Sequence, residues 1–484
     1  MRNFNLKMIA SLIGTLLLII AMMMSLSIAV ALIYSEDWEA LLVSAIITAL
    51  AGVSMRRFGK DASKDVRKRD GFLIVAAGWI SMSVFGALPF VINGAIPGFT
   101  DAFFETVSGF TTTGATILKD IEAMPNSLLF WRSMTHWIGG MGIIVLTVAI
   151  LPLLGVGGMQ LFVAEAPGVA PDKLHPRITE TAKRLWLLYF ALTAAEAVLL
   201  KIAGMSVFDA INHAMATMAT GGFSTKNASI AHFSQPAIHY IIMVFMFLAG
   251  TNFTLVFFGF TGRFRQLFAN EEFKVYGLNL LILGLIASFG LFFFGNQHFE
   301  QAFRNGFFQI ISINTTTGFI SDNYVLWPNF LMFLVFALFF SGGSTGSTAG
   351  GIKMMRLIVL IKNSLLELKR QFHPTAVIPV RLSGKTVPQS VTYNIAAFVL
   401  IYLIVFFLGC IVMSLFGLDF MTAVGSVTAT LGNIGPGIGE VGPVDNFAAI
   451  PMPGKWFLAF LMLLGRLELF TILILFMPQF WRNR

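Results

Sequence analysis

Long apolar runs separated by short, mostly basic stretches set the pattern of this chain. A helix needs about twenty residues to cross the hydrocarbon core of a bilayer, and on that measure ten crossings are predicted. The first two, near residues 8–34 and 38–55, form an N-terminal hairpin, and the first is read as a retained span because its run is too long for the apolar core of a cleavable signal. A basic linker follows, up to residue 70. Then one unit recurs four times: an outward span (71–95, 185–205, 275–296 and 391–416), a helix too short to cross, and a return span beginning near Leu128, Ala237, Trp327 and Trp456. The predicted fold class is an all-α polytopic membrane protein: a hairpin and linker over 1–70, then four tandem span, re-entrant loop and span repeats over 71–160, 161–265, 266–385 and 386–484, arranged around a pseudo-fourfold pore.

The short helices carry the chemistry. Gly114, Gly222, Gly318 and Gly432 each follow a threonine by two residues (Thr112, Thr220, Thr316 and Thr430) and a short polar residue by thirteen (Asp101, Asp209, Asn305 and Asp419). They recur at intervals of about 100 residues, the mark of internal repetition. The polar residues are expected as N-caps or first-turn residues of helices entered from outside, with the negative helix ends aimed inward. Beyond each helix the backbone must unwind, and unwound backbone at membrane depth survives only in protein or around a cavity. Four such segments about one axis stack rings of carbonyl oxygens, which can replace the hydration shell of a cation. The candidate ligands are Thr112, Thr113 and Gly114, then Thr220, Gly221 and Gly222, then Thr316, Thr317 and Gly318, and finally Leu431, Gly432 and Asn433. No carboxylate lies in these segments, so monovalent cations fit better than divalent ones. The plainer alternative, four ordinary loops rich in Gly and Thr, leaves the repeated offsets unexplained.

Composition agrees with a membrane solvent, with 56% hydrophobic residues, 12% charged and a mean hydropathy of +0.80. A net charge of +8 would suit nucleic acid, but most of the 32 Lys and Arg fall in six stretches (2–7, 56–69, 173–184, 263–274, 353–385 and 482–484) that the paired spans place on one face. That face is cytoplasmic, with both termini inside, and no nucleic-acid partner is predicted. Acids such as Glu36, Asp37, Asp120, Glu122, Asp322, Glu440 and Asp445 fall on the other face. The lone Cys410 reads as a small apolar side chain. The seven histidines show no metal-ligand spacing, and Ile352 between Gly351 and Lys353 breaks any phosphate-binding loop. No enzyme activity is expected.

Two more features stand out. Residues 341–351 (Ser-Gly-Gly-Ser-Thr-Gly-Ser-Thr-Ala-Gly-Gly) interrupt the third return span and read either as a flexible loop in a water-filled cavity or as a packing kink. Arg466 lies deep in the last span, where a charge faces the interior or water; an ion pair with Glu196 is one way to satisfy it.

The motifs Thr-Thr-Thr-Gly-Ala-Thr (111–116), Ala-Thr-Gly-Gly-Phe-Ser (219–224), Asn-Thr-Thr-Thr-Gly-Phe (314–319) and Gly-Asn-Ile-Gly-Pro-Gly (432–437) resemble those of the Trk/Ktr/HKT potassium transporters, over essentially the whole chain. The resemblance implies K+ as the transported ion, one filter glycine per repeat, and no organic cofactor. It further implies a gating loop below the filter containing Gly342, Gly343, Gly346, Gly350 and Gly351, and a pore-facing Arg466. It also implies a homodimer in a bacterial inner membrane, regulated by a cytoplasmic nucleotide-binding TrkA-type ring; Lys362, Lys369 and Arg370 are the patch expected to meet that ring or anionic membrane lipids. Rival readings are a secondary transporter of another solute, a Na+/K+ symporter, and a non-conducting scaffold.

Overall fold

The computed structural model describes residues 4–60, 68–145, 174–373 and 375–482. The expected boundary between the first two repeats and residues 61–67 of the basic linker lie outside these residues. Apolar helices Leu6–Tyr34 and Glu39–Phe58 form the N-terminal hairpin. They approach closely because Gly14 and Gly52 face each other: a Cβ on Gly14 would lie 2.6 Å from the Gly52 carbonyl oxygen. The turn between them is tied to the first repeat by Glu36, whose carboxylate accepts from the amides of Asn126 (2.7 Å) and Ser127 (2.8 Å), two N–H groups at the start of a helix that otherwise lack partners.

Four outer helices follow at the expected places: Lys68–Gly86 continued by Leu88–Asn93, then Leu174–Ile202, Glu271–Phe294 and Gln389–Leu415. Side chains such as Leu281, Phe289, Ile404 and Phe407 stand exposed on them, as lipid-facing residues do. Inside this ring stand the pore helices Phe99–Phe110, Val207–Met218, Phe299–Asn314 and Phe420–Leu431. Twelve residues make a helix of about 18 Å, too short to span. From Ala102 to Phe110 and from Thr422 to Leu431 every residue is buried, so these helices are surrounded by protein.

The return helices start at Asn126, Pro236, Asn329 and Met452. Three of them are not the continuous spans the hydropathy suggested. In the second repeat Pro236–Ala249 turns by 113° into Phe253–Phe260, where Asn252 caps the new helix by accepting from Thr254 and Leu255 N–H. In the third, Asn329–Leu338 ends at the glycine-rich loop and helix Met354–Phe372 follows. In the fourth, Met452–Arg466 turns by 113° because Glu468 and Leu469 adopt left-handed backbone (φ 63° and 39°). Among the described residues, six helices are long and apolar enough to cross a membrane, and eight when each bent pair is one span; Asn126–Val145 and the short Asn329–Leu338 take the two remaining places of the predicted ten. The result is an all-α membrane protein of four span, re-entrant and span repeats behind a two-helix hairpin. A two-stranded hairpin, Arg381–Leu382 with Lys385–Thr386, is the only strand pairing among the named strands of the described residues.

Candidate functional site

Each pore helix ends in the same way. Thr111, Ala219, Thr315 and Gly432 close the helices with right-handed or near-right-handed backbone (φ between −80° and −77°). The next residue is left-handed in all four: Thr112 (φ 50°), Thr220 (53°), Thr316 (55°) and Asn433 (53°). Two residues on, Gly114, Gly222, Gly318 and Gly435 are left-handed as well (φ 83°, 77°, 76° and 99°). The residue between donates its N–H five positions back, from Thr113 to Ser108, Gly221 to Ala216 and Thr317 to Ser312 (each 2.8 Å) and from Ile434 to Ala429 (2.9 Å). The fourth segment therefore has a different register from the one read in the sequence. Gly432 is the counterpart of Thr111, Leu431 is the last helical residue, and Asn433-Ile434-Gly435 corresponds to Thr112-Thr113-Gly114. The accidental Thr430-x-Gly432 spacing masked this shift. Left-handed backbone is costly for β-branched threonine, and three threonines hold it here at one level.

The four segments close into a ring. A Cβ on Gly114 would lie 2.1 Å from the carbonyl oxygen of Gly221; on Gly222, 2.0 Å from that of Thr317; on Gly318, 1.9 Å from that of Ile434; and on Gly435, 2.6 Å from that of Thr113. Each repeat touches the next, and the fourth returns to the first. Glycine is required at all four positions twice over, by backbone angle and by space. Above the ring a cavity is lined by Gly114, Gly222, Gly318 and Gly435, and also by Lys119, Lys226 and Asp445.

Side chains behind the ring brace it. Nine residues before each left-handed glycine stand Glu105, His213, Gln309 and Ser426. Glu105 accepts from Ile117 N–H (2.9 Å) and Thr116 Oγ1 (3.0 Å), Gln309 accepts from Ser321 N–H (2.9 Å), and His213 Nε2 meets Ser224 Oγ (2.9 Å), so three of the four fasten the chain leaving the filter. Buried Arg132 joins the first two repeats: its Nε bonds Glu105 (2.6 Å), its Nη1 bonds the Ser224 carbonyl (3.0 Å), and its guanidinium lies 3.5 Å from the centre of the Phe223 ring. His136 stacks against the same Phe223 ring at 3.9 Å, and a Cβ on Gly221 would collide with it. This bracing went unread in the sequence, although the common offset of nine was there to find.

The polar residues thirteen before the sequence-read glycines divide. Asp419 is an N-cap, accepting from Met421 and Thr422 N–H (3.0 and 3.2 Å), and Asp101 and Asp209 lie in first turns. Asn305 sits mid-helix instead, because the third pore helix begins earlier, at Phe299.

Beneath the ring lies the glycine-rich segment, most of it buried and tied by hydrogen bonds to distant parts of the chain. Gly342, Gly343 and Gly350 are buried, with Gly346 and Gly351 half-buried. Gly350 N–H donates to Thr316 Oγ1 (2.6 Å), and a Cβ on Gly350 would lie 2.5 Å from the Gly432 carbonyl oxygen. Ser344 N–H donates to the Gly250 carbonyl (2.8 Å), Thr348 Oγ1 to the Met218 carbonyl (3.1 Å), and Phe253 N–H to the Gly346 carbonyl (3.1 Å). The loop thus contacts the ends of the second, third and fourth pore helices. Arg466, 3% exposed, donates through Nη1 to the Thr348 carbonyl (2.6 Å), and its Nη2 lies 3.4 Å from the Gly139 carbonyl oxygen. Among the described residues it forms no ion pair, with Glu196 or any other acid. Glu468 pairs instead with Arg356.

In the basic patch, Lys362 is engaged by Glu271 and by the Arg381 carbonyl (2.8 Å), and Arg370 by Glu367 (2.8 Å) and the Ile378 carbonyl (2.7 Å), whereas Lys369 is exposed. Much of the expected partner patch therefore holds the chain to itself.

The chain matches the family model described as TrkH, a cation transport protein, over residues 39–274 and 267–483. The Trk system potassium uptake protein TrkH of Halomonas elongata is 41% identical over 99% of this chain and 100% of its own length. The protein of the same name from Escherichia coli is 42% identical over 99% of both. The crystal structure of the potassium transporter TrkH from Vibrio parahaemolyticus superposes with a TM-score of 0.90 at 37% identity, covering 98% of this chain and 99% of that one. Matched in sequence from end to end and in the arrangement of its four repeats, this chain belongs to the TrkH family of cation transport proteins.

Proposed function

We propose that this protein is the pore-forming subunit of a Trk-type K+ uptake system in a bacterial inner membrane. The observation that carries the reading is the ring in which Gly114, Gly222, Gly318 and Gly435 each abut a carbonyl of the next repeat. That ring lies at the C-terminal, negative ends of four inward-pointing helices, and relatives 41% and 42% identical are named potassium uptake proteins. Carbonyls of Thr113, Gly221, Thr317 and Ile434, with those of the flanking residues, take over the coordination of a dehydrated monovalent cation. The loop carrying Gly342, Gly343, Gly346, Gly350 and Gly351 obstructs the path below, and Arg466 adds a positive barrier there. K+ is cargo; the chain catalyses no reaction and needs no organic cofactor.

In the same reading the protein works as a homodimer, with both termini cytoplasmic, beneath which a nucleotide-binding TrkA-type ring controls the loop. Rubidium uptake into liposomes holding the purified chain tests the conduction reading: uptake competed more strongly by K+ than by Na+ is expected. Uptake that requires an organic solute, or none under any gradient, would refute it, and uptake that requires Na+ would assign a symporter.

A further inference from the structure

The loop beneath the ring is gripped by a carboxylate from the outer helix of its own repeat. Glu272, 2% exposed, sits in the first turn of the third outer helix, Glu271–Phe294. Its Oε1 accepts from Thr345 N–H at 2.7 Å and from Met355 N–H at 3.0 Å. Thr345 belongs to the loop, and Met355 to the first turn of helix Met354–Phe372, whose N-terminus receives no side-chain cap from Lys353. One oxygen therefore caps that helix from outside and pins the loop that precedes it, enclosing Gly346, Gly350 and Gly351 between its two attachments. A negative group is well placed at a helix N-terminus, and hydrogen bonds to a charged acceptor are the strong kind. Cations complete the grip from the other side: Lys353 Nζ bonds the Ala349 carbonyl and Arg466 Nη1 the Thr348 carbonyl.

We infer that Glu272 is the positioning residue that holds the intramembrane loop in its obstructing place. Release of the loop requires both amides to leave Oε1, so displacement of helix Met354–Phe372 and release of the loop are one event. This inference rests on the gating reading proposed above.

The test is rubidium flux through the full chain in liposomes, with thermal stability measured on each variant. Glu272→Ala is expected to raise flux about tenfold, since it removes two hydrogen bonds to a buried charge. Glu272→Gln keeps an acceptor oxygen but loses the charge, which leaves bonds roughly half as strong, and is expected to raise flux about threefold, less than the alanine variant. Glu272→Asp keeps the charge but withdraws the oxygen by one methylene; it is expected to raise flux as well, and it decides the matter if the alanine variant does not fold. In a chain lacking residues 346–350 flux is already high, and Glu272→Asp there is expected to add nothing. If the deletion raises flux but neither Glu272→Ala nor Glu272→Asp does, the role of Glu272 is overturned and the gate stands. A deletion that leaves flux unchanged overturns the gate and this inference with it. A further rise from Glu272→Asp in the deleted chain places its action elsewhere and overturns the inference.

Discussion

Gly435 and Gly432 compete for the role of fourth filter glycine, and a single methyl group separates them. At Gly435 an added Cβ meets φ 99°, which costs an L-residue about 1–2 kcal/mol. It also lies 2.6 Å from the Thr113 carbonyl oxygen, against 3.4 Å or more for an ordinary contact, so that carbonyl must retreat by about 0.8 Å. Such a retreat exceeds the difference in radius between Na+ and K+. If the strain is relieved by moving the ligand, the K+ site loses up to the same energy, a factor of roughly 5 to 30 in preference. At Gly432 the backbone is an ordinary helical φ of −77°, and a new Cβ would meet the Thr428 carbonyl oxygen at 2.8 Å, the Ile434 Cδ1 methyl at 3.0 Å and the Phe339 carbonyl oxygen at 3.2 Å, so the alanine is strained there too, but none of these atoms is a carbonyl oxygen of the ring. Competition of rubidium uptake by K+ and by Na+ measures the difference. Gly435→Ala should lose most of its K+ preference while Gly432→Ala keeps it within about twofold. The opposite order would refute the register and the ring built on it.

Gly114→Ser, Gly222→Ser and Gly318→Ser meet their carbonyls at still shorter range, 2.1, 2.0 and 1.9 Å, so each should lower K+ over Na+ selection at least as far as Gly435→Ala in the same competition assay. Deleting residues 346–350 should raise rubidium flux in a folded protein; a fall in flux would mark the loop as a structural element. Arg466→Ala removes a buried positive charge and a bond to the Thr348 carbonyl but strands no carboxylate among the described residues. Flux should therefore rise, with a stability loss well short of the roughly 3–5 kcal/mol of a broken buried pair; a large drop in thermal midpoint without added flux would count against the barrier. Lys369→Glu should weaken co-purification with a TrkA-type ring without unfolding the chain, because Lys369 is exposed; neutralising Lys362 or Arg370 should also loosen the two-stranded hairpin and the chain leading to it, seen as faster proteolysis there.

The repeat plan was legible because hydropathy counts length, and length separates crossing helices from pore helices of twelve to sixteen residues. Three of the four left-handed glycines of the ring were legible because Thr-x-Gly marks one backbone shape. The fourth was hidden by substitution of Asn433 for threonine, although asparagine is the residue that most readily tolerates left-handed backbone after glycine. The break after Arg466 carried a weaker signal: nothing in Glu468-Leu469 resembles a turn sequence, and tertiary contacts with Arg356 hold it. The burial of the glycine-rich loop was illegible for a different reason. Its partners, Gly250, Glu272 and Thr316, lie far away in the chain, and hydrogen bonds between distant segments leave no periodicity.

Because one chain supplies all four quarters of the ring, a substitution enters it once. A pore made of four identical subunits repeats every change around its axis and can move only in fourfold steps. Here the quarters read Thr-Thr-Gly, Thr-Gly-Gly, Thr-Thr-Gly and Asn-Ile-Gly, and each presses on a carbonyl belonging to its successor. A lesion in the third quarter is therefore felt at Ile434 in the fourth, and one in the fourth at Thr113 in the first. The mouth can be retuned a quarter at a time, and the residue that records each change belongs to the neighbouring repeat.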